Sequence, residues 1–205
     1  MQDILVTIPE NAESIKLPDP ELLNYYRNLE NRVLWLDTGV DDSWLHYIRQ
    51  VLEWNRDDMG KPAEERMPIK LCIYSYGGDL DINNAFIDVI KKSKTPIWGI
   101  NMGQANSAGC FIYLACHRRL AMPNSTFLIH QGSGDNFSGT FMQMVAYMDE
   151  YQRKIENLVE YLKETTKIPE EVLCANITSE WFLSAAEALE LGVCDEIVDD
   201  IDEIL

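Results

Sequence analysis

The sequence is short of positive charge and of long apolar runs. It carries 17 lysine and arginine residues against 34 aspartate and glutamate residues, a formal net charge of −17. A surface this acidic repels the phosphates of nucleic acids and the headgroups of anionic membranes. No apolar run reaches the roughly 20 residues that a membrane-spanning helix needs. We therefore expect neither nucleic acid nor a membrane among the partners of this protein.

Metal-binding, disulfide and export patterns are lacking as well. The cysteines are Cys72, Cys110, Cys116, Cys174 and Cys194, and they show no C-x-x-C or zinc-type spacing. Four of them lie in apolar runs, where reduced and buried thiols of cytosolic proteins are found. The first residues show no basic segment followed by an apolar one, which is the pattern of a secretory signal. These observations predict a cytoplasmic protein without a metal site.

What remains is the composition of a globular chain, with 46% hydrophobic and 25% charged residues over 205 positions. Apolar, strand-like runs at 32–36 and 70–74 are each followed by a turn and an amphipathic helix, at 43–54 and 81–93. The repeated order of strand, turn and helix predicts an α/β fold of stacked β-β-α units. We expect an N-terminal arm at 1–20 and a single domain at 21–205.

A candidate nucleophile stands on a sharp turn in the middle of the chain. The β-rich run at 95–100 precedes Ser107, and an apolar segment that suits a short buried helix follows it at 108–116. Strand, small-residue turn and buried helix form the context of a nucleophile elbow, in which the serine hydroxyl is exposed. The free amides at the start of that helix, Ala108 first, face any oxyanion formed there. Small residues that simply pack at a helix start explain the same pattern.

Two further segments carry matching chemistry. His130 ends the short strand-like run 126–129, immediately before a loop at 131–139 that is rich in Gly, Ser, Asp and Asn. Gly77 and Gly78 follow a buried strand, and glycines there allow close approach of the backbone. The amides of Gly77 and Gly78 can therefore supply the second half of an oxyanion hole, and Gly77 is also a candidate contact for the substrate. An ordinary histidine and an ordinary strand-to-helix turn are the plain alternatives.

These residues lie in blocks that resemble one known family, the proteolytic subunit of the Clp protease. The blocks follow one another in the family's order between residues 30 and 198: 74–78 (YSYGG), 103–109 (GQANSAG), 120–131 (LAMPNSTFLIHQ), 182–188 (FLSAAEA) and 191–197 (LGVCDEI). The resemblance implies a serine peptidase that encloses its substrate in a chamber. Ser107 is then the nucleophile, His130 the general base, and the Gly78 and Ala108 amides the oxyanion hole, with no cofactor required.

A catalytic triad joins serine and histidine to an acid, and the sequence departs from the family at the acid. Before the run WFLS the family has an aspartate, and this chain has Glu180. A glutamate also orients histidine in some hydrolases, although its side chain is one methylene longer. Asn176 or a backbone carbonyl are the alternatives for holding the imidazole. Tyr76 in place of a proline, and Thr178 and Ser179 in place of a charged pair, are further departures.

The resemblance also implies partners. An apolar stripe recurs through 140–166, a helix of about 40 Å if it is continuous, and the family uses such a handle to join two stacked rings. We expect a homo-oligomer of stacked rings, heptamers by resemblance, with an AAA+ unfoldase as a possible partner at the arm 1–20. The loop before this helix, which includes Gly132, Ser133 and Gly134, is expected to bind the peptide substrate as an added strand. A long core helix and an unstructured arm remain as alternatives.

Two other functions are compatible with the same residues. A crotonase-like acyl-CoA enzyme shares the stacked architecture and a diglycine oxyanion loop. A catalytically silent ring subunit would keep the interfaces and lose the chemistry, as the departures at Glu180, Thr178 and Ser179 suggest. The retained Ser107 and His130 favour the peptidase. The sequence leaves substrate specificity open, because Met102, Phe127, Met142 and Met144 suit an apolar pocket and core packing equally.

Overall fold

The structure is a computed structural model that describes residues 19–133 and 138–205. Most of the expected N-terminal arm, and Gly134 of the expected substrate-binding segment, lie outside the described residues. The chain divides into two compact units, Met1–Asn31 and Arg32–Leu205. In the first unit, helix α1 (Pro20–Glu30) begins at Asp19, whose side chain accepts a hydrogen bond of 3.0 Å from the Glu21 amide.

The second unit is built on one seven-stranded sheet. Its strands are β1 (Val33–Leu36), β2 (Ile69–Ser75), β3 (Ile97–Asn106), β4 (Arg118–Ala121), β5 (Thr126–Ile129), β6 (Trp181–Ser184) and β7 (Glu196–Ile197). The order β1-β2-β3-β4-β7 is parallel throughout, and β5 also pairs in parallel with the far end of β3. Strand β6 is antiparallel to β5. The long strand β3 thus carries two neighbours on one edge, β4 near its start and β5 near its end.

Helices connect most of these strands. They are α2 (Leu45–Asp57), α3 (Leu80–Lys92), α4 (Ala108–Ala115), α5 (Phe141–Thr165), α6 (Glu170–Asn176) and α7 (Ala185–Glu190). Every residue of α4 is buried, which explains why the segment after Ser107 shows no helical periodicity. Trp44, Phe86, Phe111, Tyr113 and Phe127 are the largest fully buried rings. The mixed α/β fold predicted from the repeated order of strand, turn and helix is confirmed.

A buried carboxylate ties three segments of this unit together. Asp58, fully buried at the end of α2, pairs with the Arg32 guanidinium, accepts 2.9 Å from Lys61 Nζ and accepts 3.0 Å from Thr95 Oγ1. The hydrogen bond from Arg32 holds the pKa of Asp58 well below its ordinary value of 3.8. Because each partner comes from a different part of the chain, the pair fixes the start of β1 against the end of α2.

Replacing this carboxylate by an amide should destabilise the fold. Asp58→Asn leaves the nearly buried Arg32 charge without its counter-ion, and we expect a loss of about 3 kcal/mol in the free energy of unfolding. The matched control is Glu53→Gln, which breaks an exposed pair with Arg56 and should cost less than about 0.5 kcal/mol. Chemical denaturation of both variants measures the difference.

The same comparison has a defined pH dependence. The pKa of Asp58 is lowered in the folded state. The contribution of Asp58 to the free energy of unfolding is therefore present above the ordinary carboxyl pKa, and it is lost as the pH falls through the pKa of the folded protein. The gap in stability between wild type and Asp58→Asn should therefore narrow below about pH 4. If the difference in free energy of unfolding between wild type and Asp58→Asn is small at pH 7, or if it grows in acid, the ion pair does not stabilise the fold.

Candidate active site

Ser107 occupies the turn between β3 and α4, in a backbone conformation that side chains rarely adopt. Its φ is 53° and its ψ is −124°, and Arg32 is the only other described non-glycine residue with positive φ. The turn is held on both sides, because the Ser107 amide donates to the Leu128 carbonyl at 2.8 Å and the Ser107 carbonyl accepts from the Cys110 amide at 2.9 Å. A strained serine between a strand and a buried helix has the geometry of a nucleophile elbow.

The diglycine corner after β2 packs directly against this turn. A Cβ built on Gly77 would lie 2.7 Å from Ser107 Cβ and 3.1 Å from the Ala108 nitrogen, so no larger residue fits there. Gly77 also has a φ of 100°, which favours glycine. Gly78 is equally constrained, because a Cβ there would meet the Val40 carbonyl oxygen at 2.2 Å. Both glycines are explained by the close approach of neighbouring backbone.

The pairing with Val40 also orients the Gly78 amide. The Val40 amide donates to the Gly77 carbonyl at 2.9 Å, and the Asp79 amide donates to the Val40 carbonyl at 2.8 Å. In such a parallel bridge the middle residue directs its own N–H to the opposite side, away from Val40. Gly78 and Ser107 line the same cavity. Ala108, the first residue of α4, has an amide with no acceptor inside its helix.

His130 stands between the serine and an acid. Its Nε2 lies 2.8 Å from Ser107 Oγ, and its Nδ1 lies 2.9 Å from Glu180 Oε1. An ionised carboxylate only accepts hydrogen bonds, so it selects the tautomer with the proton on Nδ1. Nε2 is then free to accept the proton of the serine hydroxyl. This is the arrangement that a general base needs before a nucleophile attacks.

The strand register explains how Glu180 reaches the histidine. Strands β5 and β6 pair Ile129 with Trp181, so His130 and Glu180 are neighbours one step beyond the last pair. The Asn176 side chain instead donates to the Val172 carbonyl at 2.8 Å, whereas the two imidazole nitrogens are engaged by Glu180 and Ser107. Of the partners considered for His130, the geometry selects Glu180. The glutamate side chain remains 62% exposed, while that of His130 is only 16% exposed.

The cavity over these groups has a volume of about 310 Å³, within the lower range of ligand pockets. It is lined by Tyr76, Gly77, Gly78, Leu80, Ser107, Leu128, His130, Gly132, Ser133 and Glu180. The structure thus gathers the predicted nucleophile, base, acid, diglycine and two of the three loop residues.

The apolar pocket considered from the sequence is not part of this cavity. Its lining does not include Met102, Phe127, Met142 or Met144. Phe127 lies in the core, and Met142 is exposed.

Tyr76, Leu80 and Leu128 are cavity residues that sequence reasoning did not assign to the site. Their position close to Gly78 and His130 in the sequence was the available signal, because residues next to the ends of the strands lie near the site.

Nearby Cys110 is not a rival nucleophile, since burial raises the pKa of its thiol to about 12 and keeps it protonated.

Within the two described ranges, no group of three or more His, Cys, Asp or Glu side chains is arranged to hold a metal ion. The described helices include none with the length and apolar character needed to cross a bilayer.

Comparison with solved structures agrees with this architecture. A ClpP1 variant from Listeria monocytogenes superposes with a TM-score of 0.74 at 23% identity, covering 89% of this chain and 99% of that one. At this identity the likeness establishes the fold, an α/β protein of the ClpP type.

The sequence comparisons identify the family. The model described as Clp protease matches residues 21–200, and the chain belongs to the Clp protease family. An ATP-dependent Clp protease proteolytic subunit from Deinococcus radiodurans is 29% identical over 98% of this chain and 97% of its own length. Proteolytic subunit 3 from Rhizobium etli is 33% identical over 63% of this chain and 68% of its own. The resemblance stated from the sequence is confirmed.

The reach of the Glu180 side chain can be tested by changing its length and its charge separately. Glu180→Gln keeps the length of the side chain and removes the charge that would stabilise a protonated His130, so we expect the rate of Ser107 labelling by a fluorophosphonate to fall about 100-fold. Glu180→Asp keeps the charge but shortens the side chain by one methylene, which moves the carboxylate away from His130. We expect the labelling rate to fall about tenfold. Glu171→Gln, which changes an exposed glutamate of α6, is the matched control. Equal rates in all four proteins would show that Glu180 does not act on His130.

Proposed function

We propose that this chain is a serine endopeptidase that cleaves peptides or unfolded polypeptides inside an oligomeric chamber. The observation that carries the proposal is the continuous hydrogen-bonded series from Glu180 through His130 to Ser107, on a strained turn beside two glycines. Membership of the Clp protease family supports peptide hydrolysis over the acyl-CoA chemistry of the crotonase group. A lone serine or histidine would be weak support. Here the hydrogen-bond geometry, the tautomer of His130 and the nearby backbone N–H donors all suit the same reaction.

The mechanism follows from the contacts. His130 Nε2 removes the proton from Ser107 Oγ as the oxygen attacks the peptide carbonyl carbon. The amides of Gly78 and Ala108 donate hydrogen bonds to the negative oxygen that forms, and the Glu180 carboxylate stabilises the protonated imidazole. The imidazolium then gives its proton to the leaving amine as the C–N bond breaks. Water, deprotonated by His130, then attacks the acyl carbon. The bond between that carbon and Ser107 Oγ breaks, the imidazolium returns its proton to Ser107 Oγ, and the new carboxyl terminus is released.

The substrate is proposed to bind as an extended strand. Gly77, Gly132 and Ser133 line the cavity that also holds Ser107, so backbone donors and acceptors are close to the proposed nucleophile. Backbone pairing of this kind holds a peptide without requiring a particular sequence. Together with Gly134, which the structure does not describe, these residues are the proposed substrate-binding segment. None of the steps requires a metal or an organic cofactor.

The chamber is proposed from the exposed first half of α5. Phe141, Met144, Val145 and Met148 recur at helical spacing and are between 37% and 73% exposed. An apolar stripe of this kind on a soluble protein marks an interaction surface. We propose that it packs against other copies of the chain in stacked rings, heptameric by family resemblance, in the cytoplasm. An AAA+ unfoldase that delivers unfolded chains is the further partner proposed for such an assembly.

A silent ring subunit is the second candidate function, and one observation favours it. Glu180 is 62% exposed, and a solvated carboxylate holds and stabilises an imidazole less firmly than a buried one. In that case the chain would assemble and enclose the chamber while other subunits cleave. The two candidates differ in the reactivity of Ser107 and not in assembly.

Labelling by a fluorophosphonate probe separates these candidates. An active peptidase reacts at Ser107, so mass spectrometry should place the adduct on that residue, and Ser107→Ala should abolish labelling. Ser125→Ala is the matched control, because the Ser125 hydroxyl is buried and should not react. Intact assemblies without any adduct would contradict the peptidase and support the silent subunit.

The assembly itself is tested on α5. Met148→Glu places a charge on the apolar stripe and should dissociate the oligomer, because a carboxylate in an apolar interface lacks a partner. Ala146→Glu adds the same charge to the same exposed helix about 160° away from Met148 round the axis and should leave the assembly intact. Mass photometry gives the particle mass of each. Dissociation by both variants, or by neither, would contradict an interface on the Phe141–Met148 stripe.

A further inference from the structure

Strand β3 changes its neighbour partway along its length. Its first part pairs with β4 as far as Asn101, which is opposite Ala121. Its last part pairs with β5 from Gln104, which is opposite Thr126. The register between β3 and β2 shifts in the same stretch. We call the residues between these two parts the junction of β3. Because a regular ladder of backbone hydrogen bonds is interrupted there, other groups are needed to fix β5 against β3.

The side chain of Asn101 spans this junction and is fully buried. Its Nδ2 donates a hydrogen bond of 2.9 Å to the Thr126 carbonyl, and its Oδ1 accepts one of 3.0 Å from the Gly103 amide. The backbone carbonyl of Asn101 also accepts from the Met122 amide at 3.0 Å, just after β4. One residue thus contacts the end of β4, the start of β5 and the continuation of β3.

Both segments that Asn101 holds lead to the proposed nucleophile and base. Gly103 stands four residues before Ser107, and Thr126 stands four residues before His130. A displacement of β5 relative to β3 would therefore move the imidazole relative to the serine hydroxyl. A misplacement of about 1 Å between reacting groups can lower a rate about 100-fold. The hydrogen bonds of Asn101 act on the distance that matters most for the proposed reaction.

A polar residue at this place is not explained by packing. The other side chains of β3 that are fully buried are apolar, namely those of Ile97, Ile100 and Ala105. Burying an amide is unfavourable unless its hydrogen bonds are made, and an apolar residue of the same shape would avoid that cost. The amide of Asn101 makes one bond as a donor and one as an acceptor, each to a different side of the junction.

We propose that Asn101 is a positioning residue, which sets the distance between Ser107 and His130 by joining β5 to β3 at the junction. This inference rests on the proposed function in one respect, namely that this serine and histidine carry out acyl transfer. Asn101 acts through the placement of the two segments and not by contact with the substrate.

The test replaces Asn101 and follows fluorophosphonate labelling of Ser107 in the full chain. Asn101→Leu keeps the branched shape and removes both hydrogen bonds, so we expect the labelling rate constant at saturating probe to fall about tenfold. The matched control is Asn83→Leu, the same change at a fully buried asparagine of α3, which should stay within about twofold of wild type. A purely structural role would lower the fraction of protein that is labelled and not the rate constant of the folded protein.

Hydrogen exchange measured by mass spectrometry gives a second readout, which needs no reaction. The Ser107 amide donates to the Leu128 carbonyl at 2.8 Å, so its exchange reports the contact between β3 and β5. In Asn101→Leu we expect this amide to exchange about tenfold faster than in wild type. The Lys70 amide, which donates to the Arg32 carbonyl at 2.8 Å beside β1, should exchange at the wild-type rate. If Asn101→Leu does not fold, Asn101→Ala gives the same comparison with a smaller side chain.

The outcomes separate this inference from the proposed function. A wild-type rate constant in the folded Asn101 variants, or an equal fall in Asn83→Leu, would overturn the positioning role. Unchanged exchange at Ser107 would overturn it as well. If the wild-type protein does not react with the probe, the proposed peptidase is wrong, and exchange at Ser107 alone then decides whether Asn101 joins the two segments.

Discussion

The candidate site depends on one constraint, the register in which β3, β5 and β6 are paired. Asn106 pairs with Leu128, which brings Ser107 beside the end of β5, and Ile129 pairs with Trp181, which brings Glu180 beside His130. A shift of one residue in either pair would reverse which side chains face the cavity. The hydrogen bonds of 2.8 Å and 2.9 Å to the two imidazole nitrogens follow from this pairing. Serine, histidine and acid are far apart in the chain and are neighbours only because the sheet is built in this order.

Sequence patterns predicted the local parts of this site well. The turn at Ser107, the diglycine corner and the strand before His130 each have short-range signals, because small residues, glycines and β-rich runs act within a few positions. The buried helix after Ser107 was correctly inferred from length and composition, although it has no periodicity. The boundaries of the long helix, predicted at 140–166, agree with α5 to within one residue at each end.

Other features could not be read from the sequence, because they depend on contacts between distant segments. The choice of Glu180 over Asn176 follows from the antiparallel pairing of β5 and β6, and the sequence alone does not give that register. The pairing of Val40 with the diglycine corner, which orients the Gly78 amide, joins segments that are almost forty residues apart. The close approach of the Tyr76 ring to Gly39, where a Cβ would lie 2.4 Å from the phenol oxygen, also joins distant segments. Met142 was considered for a pocket because it is apolar, and its exposure on α5 is set by the helix face.

We propose joint action of Ser107, His130, Glu180 and the backbone amides of Gly78 and Ala108 on one carbonyl. Its most direct test is a crystal structure of the protein after reaction with a fluorophosphonate, whose phosphoryl oxygen mimics the oxyanion. We expect a covalent bond to Ser107 Oγ and a phosphoryl oxygen about 2.7–3.1 Å from the amide nitrogens of both Gly78 and Ala108. An adduct whose oxygen points away from these amides, or an unmodified Ser107 in an otherwise intact site, would contradict it.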